Sequence, residues 1–213
     1  MRFTNVVLAE LDKLRTLPIT ILTVAGTVAV AAAIAGAQRR ADVPVDVVPY
    51  VQAGFVLLGI LPVGHEYAGR QSRTSLLAVP ARGRLVGAKT AAALVTIACT
   101  AITVVAVQYA LAEEGSVGAA AYLTLIGLLA FTVALLVRHL VPALVGTLCL
   151  VLILSPLLAA VTRHARWLPD RAATELYHPT DSVLTATTGT LVALAWIAVL
   201  GAVATVSFQR RDS

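Results

Sequence analysis

Residues 115–162 read GSVGAAAYLTLIGLLAFTVALLVRHLVPALVGTLCLVLILSPLLAAVT, and their only Asp, Glu, Lys, Arg or His residues are Arg138 and His139. Each flanking stretch is 23 residues long. A helix needs about 20 apolar residues to cross about 30 Å of hydrocarbon at about 1.5 Å per residue. The stretch therefore predicts two transmembrane helices joined by a tight turn, with Pro142 in the first turn of the second helix, where its missing N–H costs nothing.

Four more stretches without Asp, Glu, Lys or Arg lie elsewhere in the chain, at 16–38, 47–65, 90–112 and 182–209. A charge at mid-membrane costs about 2.5–3.5 kcal/mol on insertion scales. The charged residues at the ends of these stretches therefore indicate where each predicted span ends. The chain is 59% hydrophobic and 13% charged, against about 25% charged residues in soluble domains. We predict an all-α membrane protein with six spans, at approximately 17–37, 48–65, 90–112, 117–137, 140–161 and 188–208.

The distribution of Lys and Arg predicts the orientation. The N-terminus, the 66–89 segment, the 138–139 turn and the C-terminus carry eleven of the 16 basic residues. The positive-inside rule puts these segments in the cytoplasm, so both termini are expected on the cytoplasmic side of the plasma membrane. The same distribution accounts for the net charge of +5 without a nucleic-acid partner. The first apolar run is longer than the core of a signal peptide, so it is expected to be retained.

The N-terminal segment and the segment between spans five and six each allow two interpretations. Phe3, Val7, Leu11 and Leu14 share one helical face, which is typical of a helix over 1–16 lying in the membrane interface. A simple charged lead-in is the alternative.

Trp167 and Tyr177 in the external segment 163–187 are typical of residues at the lipid headgroup level. A substrate gate built from short interfacial helices is the other interpretation of this segment.

The sequence lacks the usual signatures of catalysis. It has no G-x-x-x-x-G-K-[ST] phosphate loop and no H-E-x-x-H or paired Cys/His metal motif, so we expect no ATP hydrolysis, bound cofactor or metal in this chain. Cys99 and Cys149 lie within apolar runs, as small hydrophobic residues do. The spans also lack Asp, Glu, Lys and Arg at mid-depth, which argues against a proton-coupled carrier.

Residues 66–89, EYAGRQSRTSLLAVPARGRLVGAK, resemble the segment after the second span in permeases of ABC-2 type transporters. The family pattern is E-Y-x-G-G-Q-x-R-T-T-L-x-A-V-P-x-R followed by a lysine, and Arg70 replaces its second glycine. Residues 10–16, ELDKLRT, are similar to the family's lead-in, and residues 208–212, FQRRD, to its ending.

The resemblance implies the ABC-2 exporter fold, in which an interfacial connecting helix precedes six transmembrane helices and re-entrant segments lie between spans five and six. It implies two copies of a separate ATPase subunit that binds ATP and Mg²⁺, and a second permease copy or a sister permease. The chain would export a drug, antibiotic, peptide or lipid-like molecule without being an enzyme by itself.

The resemblance also implies that the cytoplasmic loop 67–89 couples the spans to the ATPase. The apolar residues would dock on the ATPase, the arginines would frame the contact, and Glu66 would cap the cytoplasmic end of span two. The residues implied are Glu66, Arg70, Arg73, Leu76, Leu77, Val79, Arg82 and Arg84.

Another class of membrane protein shares the same composition. A non-transporting assembly or immunity subunit that binds a protein partner is the main alternative, and it has no need for an ATPase-docking loop. A proton-coupled carrier and a membrane enzyme rank below it, for the reasons given above.

Overall fold

The structure, a computed structural model, describes residues 3–41, 43–68, 82–179 and 183–211. Side chains are described throughout these ranges except at residues 66–68, 82, 84 and 208–211. The described chain is helical and contains no β-strand, which confirms the all-α prediction. The main helices are α1 (Phe3–Thr16), α2 (Pro18–Ala41), α3 (Val48–Ala68), α4 (Arg82–Ala112), α5 (Val117–Val137), α6 (Leu140–Val161), α7 (Pro169–Thr174) and α8 (Ala186–Arg211).

Six helices in the described part of the chain are long and apolar enough to cross a membrane, and they are α2, α3, α4, α5, α6 and α8. They fall on the six predicted stretches. The main difference is α4, which begins at Arg82 although the span was predicted to start at 90, so the end of the predicted 67–89 loop is helical. A helix does not have to stop at the membrane surface, and Arg and Lys are good helix formers in water.

Helix α1 packs along the beginning of α4. Val6 is buried at this contact, and Leu14 is buried further along α1. Of the residues predicted to share the apolar face, Val7 packs against the cluster that Val6 forms with Leu85 and Ala88 of α4, whereas Phe3 is exposed. Packing against a neighbouring helix thus determines which edge of this weakly amphipathic helix is covered.

Helices α3 and α5 form the centre of the bundle. In the most apolar part of each, 67% and 56% of residues are buried, against 17% in both α6 and α8. Their backbones approach closely at two glycines, since a Cβ added to Gly59 would collide with the carbonyl oxygen of Gly127. Large buried side chains surround this contact, and they include Phe55, Ile60, Ile97, Leu123, Ile126, Leu129 and Phe131.

Helix α6 is irregular in its middle. Two α-helical pieces, Leu140–Leu148 and Ser155–Val161, flank a π-helical segment at Cys149–Leu154. Pro156 follows this segment and has no N–H to donate to the preceding turn, so a regular i→i−4 ladder cannot run through it. Wider turns of this kind are known local adjustments in α-helices. The apolar pattern of residues 140–162 did not predict this irregularity.

The helix ends define two faces of the bundle. The connections at 43–47, 113–116 and 162–179 meet at one face, which we call the outer end after the predicted orientation. The other face, the inner end, contains α1, the beginning of α4 and the turn between α5 and α6. Arg138 makes that turn in the left-handed conformation (φ 59°), and its N–H donates to Ala134 O at 2.8 Å.

Candidate functional site

The predicted coupling residues fall mostly outside the described part of the chain. Glu66 lies on the backbone of α3, and Arg82 and Arg84 lie on that of α4, but their side chains are not described. The remaining predicted coupling residues lie outside the described residues altogether, and they are Arg70, Arg73, Leu76, Leu77 and Val79. Docking of this loop on an ATPase therefore stays a prediction.

An ion pair joins the N-terminal helix to α4 at the inner end. Lys89 Nζ lies 3.2 Å from Glu10 Oε2, and the two side chains are only 7% and 13% exposed. The Phe3 ring packs beside Gly87, two residues before Lys89. The two stretches that resemble the permease family at residues 10–16 and 66–89 thus contact each other through one charged residue from each.

A polar cavity of about 490 Å³ lies at the outer end. The ends of α2 and α4, the segment before α3, the turn before α5 and the chain after α7 all contribute to its wall. Its polar side chains are Gln38, Asp46, Gln108, Glu114, Ser116, Tyr177 and His178. Because five separate segments meet here, the cavity exists only in the folded bundle.

The cavity has an exposed rim and a buried floor. Asp46, Glu114 and His178 are exposed at the rim, whereas Gln38 and Gln108 are buried. Gln108 lies four residues before the end of α4, which places it about 6 Å below the last residue of that helix. The site therefore carries negative charge at its entrance and neutral amides further in.

Hydrogen bonds fix the rim. Asp46 Oδ1 accepts from the backbone N–H of Val48 at 3.0 Å, so this carboxylate caps the first turn of α3. Gln38 Nε2 donates to Val45 O at 2.8 Å and to Glu114 Oε2 at 3.1 Å. These bonds link the connection after α2 to the turn before α5.

The floor contains polar groups without partners. Neither Nε2 nor Oε1 of Gln108 makes a hydrogen bond with any described residue, and Gln38 Oε1 also lacks a partner there. Gln108 is only 4% exposed. Buried polar groups in folded proteins are almost always hydrogen-bonded, so an amide with both of its polar atoms unpaired calls for an explanation.

A polar path leads from the cavity into the bundle. The rings of Tyr177 and Tyr122 are 5.0 Å apart, centroid to centroid, and tilted by 59°. The Tyr122 hydroxyl accepts from Gln52 Nε2 at 2.8 Å, a buried bond between the two central helices. Burial raises the pKa of Tyr177 well above its usual value, so this phenol stays neutral at physiological pH.

The short helix α7 inserts an acidic residue into the bundle. Asp170 is buried, and this burial raises the pKa of its carboxyl group, while the neighbouring Ser155 of α6 and Arg171 partly offset the rise. Asp170 Oδ1 and Ser155 Oγ nevertheless make no hydrogen bond of good geometry with described residues. This site lies beside the outer cavity but does not line it.

The external segment forms two short helices rather than a surface loop. A 3₁₀ turn at Arg163–Trp167 precedes α7, and Ala172 and Ala173 of α7 are fully buried. Trp196 Nε1 of α8 donates to Trp167 O at 3.0 Å and holds the 3₁₀ turn against the bundle. Neither interpretation of this segment is decided by its short helices, so the headgroup position of Trp167 and Tyr177 and the gating role both stay predictions.

The outer cavity was missed at the level of sequence, although a signal for it was present. Gln38, Gln52 and Gln108 lie within or at the edge of apolar stretches. Charged residues alone delimit the predicted spans, yet an amide in a membrane helix also needs a partner. Among the described residues, no group of three or more His, Cys, Asp or Glu could hold a metal ion.

Comparison with known protein families and with curated proteins finds no match to this chain.

Proposed function

We propose that this chain is the membrane-spanning permease subunit of an ABC-2 type exporter, driven by ATP that a separate subunit hydrolyses. The observation that carries the proposal is the Glu10–Lys89 ion pair, which joins the two stretches that resemble the permease family. The proposed cargo is a drug, antibiotic, peptide or lipid-like molecule. In the proposed assembly, two permease chains in the plasma membrane bind two ATPase subunits, with both permease termini in the cytoplasm.

The geometry at the inner end suits the transmission of force. Helix α4 directly follows the predicted docking segment and runs without a break for 31 residues, or about 46 Å, to the outer end. The ion pair fixes α1 to the first turns of this helix. A displacement of the docking segment would therefore move α1 and α4 together and reach the wall of the outer cavity through Gln108.

The segment between α6 and α8 gives separate support. The resemblance implies re-entrant external segments between spans five and six, and the chain has two short packed helices there, at Arg163–Trp167 and Pro169–Thr174. An assembly or immunity subunit would require neither this segment nor a joint movement of α1 and α4.

Affinity purification of the tagged chain from native membranes in mild detergent tests the proposal most directly. We expect a soluble protein with a phosphate-binding loop to co-purify in stoichiometric amount. Recovery of the chain alone, or with a partner that cannot bind ATP, from membranes in which known complexes stay intact would contradict the proposal and favour the assembly-subunit alternative.

A pair of matched variants tests the docking segment. Replacing Leu76 and Leu77 by Asp should abolish ATP-driven transport in reconstituted vesicles, because two charges would enter the apolar docking contact. Replacing Thr74 and Ser75 by Asp adds the same charge at neighbouring polar positions and should have a much smaller effect. Equal transport by both variants would argue against docking through the leucines.

Exchanging the charges of Glu10 and Lys89 tests whether their ion pair couples the movement of α1 to that of α4. Lys89→Met leaves Glu10 unpaired at a buried contact and should reduce the transport supported by each ATP hydrolysed, since α1 no longer moves with α4. The double variant Glu10→Lys, Lys89→Glu restores the pair in reverse and should recover part of this coupling. If Lys89→Met supports as much transport per ATP hydrolysed as the unchanged protein, the ion pair takes no part in coupling.

A further inference from the structure

We propose that the outer-end cavity is a binding site for a small organic cation that carries a protonated amine. This inference goes beyond the proposed transport function, because binding at the cavity requires neither ATP nor a partner subunit. If the cavity does not bind amines, the permease proposal is unaffected. If no ATPase subunit co-purifies with the chain, the proposed amine site is unaffected.

Negative charge lines the cavity. Asp46 and Glu114 line it, and no Lys or Arg does so among the described residues. Arg39 lines an adjoining smaller cavity of about 210 Å³, which shares Glu114 with the first, and the charge of Arg171 acts on Tyr177. A cleft lined by one sign of charge concentrates ligands of the opposite sign.

An unpaired amide belongs to the lining of the cavity. Gln108 is only 4% exposed, and neither its Nε2 nor its Oε1 has a partner among the described residues. An ammonium group donates hydrogen bonds and can satisfy Oε1. A polar atom elsewhere on the ligand can accept from Nε2. A ligand with both functions removes the cost of burying this amide unpaired.

The size and the aromatic wall of the cavity suit a small organic molecule. Small-molecule pockets have volumes of about 300–1,000 Å³, and a cavity of about 490 Å³ falls within this range. Tyr177 offers an aromatic surface at the inner wall, where it can contact either the cation or an apolar part of the ligand. The described residues provide no group of three metal-ligating side chains, which favours an organic cation over an inorganic one.

Binding of dansylcadaverine, a fluorescent primary amine, to the full chain in lipid nanodiscs tests the proposal. Empty nanodiscs correct for partition into lipid. We expect saturable binding of the amine and at least about tenfold weaker binding of its N-acetylated derivative, which keeps the fluorophore but lacks the charge. Equal binding of the two compounds would overturn the proposal, as would displacement of the amine by calcium chloride at matching concentration.

Two neighbouring carboxylates supply a matched control. Glu113 and Glu114 are adjacent and exposed, but only Glu114 lines the cavity. Glu114→Gln should weaken amine binding by about fivefold to tenfold, while Glu113→Gln should change it by less than about twofold. An equal loss in both variants would mean that the amine responds only to the general surface charge, and this would overturn the assignment.

The variant Gln108→Leu distinguishes a role of this residue in amine binding from a role in stability. The variant removes an unpaired buried amide, so the empty protein should become slightly more stable to heat while amine binding falls by about tenfold or more. Opposite changes in stability and affinity are not expected from a residue with a merely structural role. Unchanged amine affinity in a folded Gln108→Leu protein would overturn the proposal.

Discussion

Helices α5 and α6 are neighbours of nearly equal length and hydropathy, yet one is buried and the other is not. They contain 21 and 22 residues with mean hydropathies of 2.4 and 2.6 in their most apolar parts. In α5, 56% of the residues in this part are buried, and in α6 only 17% are. Hydropathy therefore identifies the residues that leave water, but it does not distinguish contact with protein from contact with lipid.

What differs between the two helices is the closeness of their contacts. At Gly127, α5 presents bare backbone to Gly59 of α3 and receives the side chain of Ile97 from α4. Gly146 of α6 has no neighbouring atom in the space that a Cβ would fill. In a membrane, small residues allow backbones to approach and gain packing contacts that lipid cannot provide. The contrast predicts where substitutions are tolerated.

The largest effect is expected at the central glycine contact. Gly59→Ala places a methyl group against the carbonyl oxygen of Gly127, and neither backbone can move without disturbing the bundle. We expect a loss of stability of about 3 kcal/mol or more, measured by unfolding in mixed micelles. Gly146→Ala is the matched control and should be nearly neutral. Similar effects of the two substitutions would contradict the assignment of α5 as central and α6 as peripheral.

A smaller effect is expected where α8, another peripheral helix, makes one close contact. A Cβ on Gly189 would meet the carbonyl oxygen of Ala172 in α7, whereas one on Gly201 would be at ordinary distance from Thr132. Gly189→Ala should cost about 1–3 kcal/mol and loosen the external segment, which hydrogen exchange at residues 163–178 would detect. If Gly201→Ala increases hydrogen exchange in this segment equally, the contact between Gly189 and α7 is not what stabilises the segment.

The next prediction concerns the polar bond between the central helices. Removing one partner, in Gln52→Leu or Tyr122→Phe, should destabilise the protein, and a double-mutant cycle should give a coupling of about 0.6–2 kcal/mol. The double variant should be more stable than the sum of the two single losses implies, because no buried group is then left unpaired. A coupling near zero would show that packing alone joins α3 to α5.

The smallest effect is expected from Asp170, whose carboxyl group has a raised pKa because it is buried. The folded protein binds this proton more tightly than the unfolded chain does. Its stabilising contribution is therefore complete below the ordinary Asp pKa of about 3.9 and is lost as the pH rises through the raised value. Asp170→Asn should increase thermal stability more at pH 8 than at pH 4, whereas Asp12→Asn, at an exposed position, should show no such difference.

The six spans could be predicted from sequence because charges mark where an apolar helix leaves the membrane. Helix α5 begins and ends at the predicted residues, 117 and 137. Helix α4 begins at Arg82, eight residues before the predicted span, since charged residues can end a span without ending a helix. The side of α1 that packs against α4 includes Val6, which the predicted face did not contain, because tertiary packing selects among several apolar residues.

The outer cavity could not be predicted in the same way. Its polar residues are each unremarkable in sequence, and they come from segments separated by up to 140 positions, from Gln38 to His178. Their meeting depends on how the helices pack, which no local pattern encodes. The Glu10–Lys89 pair was not predicted for the same reason, although both residues lie in stretches that resemble the permease family.

The wide turn at Cys149–Leu154 has a consequence for how α6 can vary. Its buried residues, Ala143, Thr147, Val151 and Ser155, recur every fourth position. In a regular helix each such step would drift by about 40°, so the stripe would wind around the axis and carry Ser155 away from the bundle. The π-helical segment counteracts this drift and keeps the stripe straight, because it holds about one residue more than a regular helix does over the same rotation. A one-residue deletion within 149–154 is therefore expected to return the segment to a regular helix and to leave the outer third of α6 in its present phase.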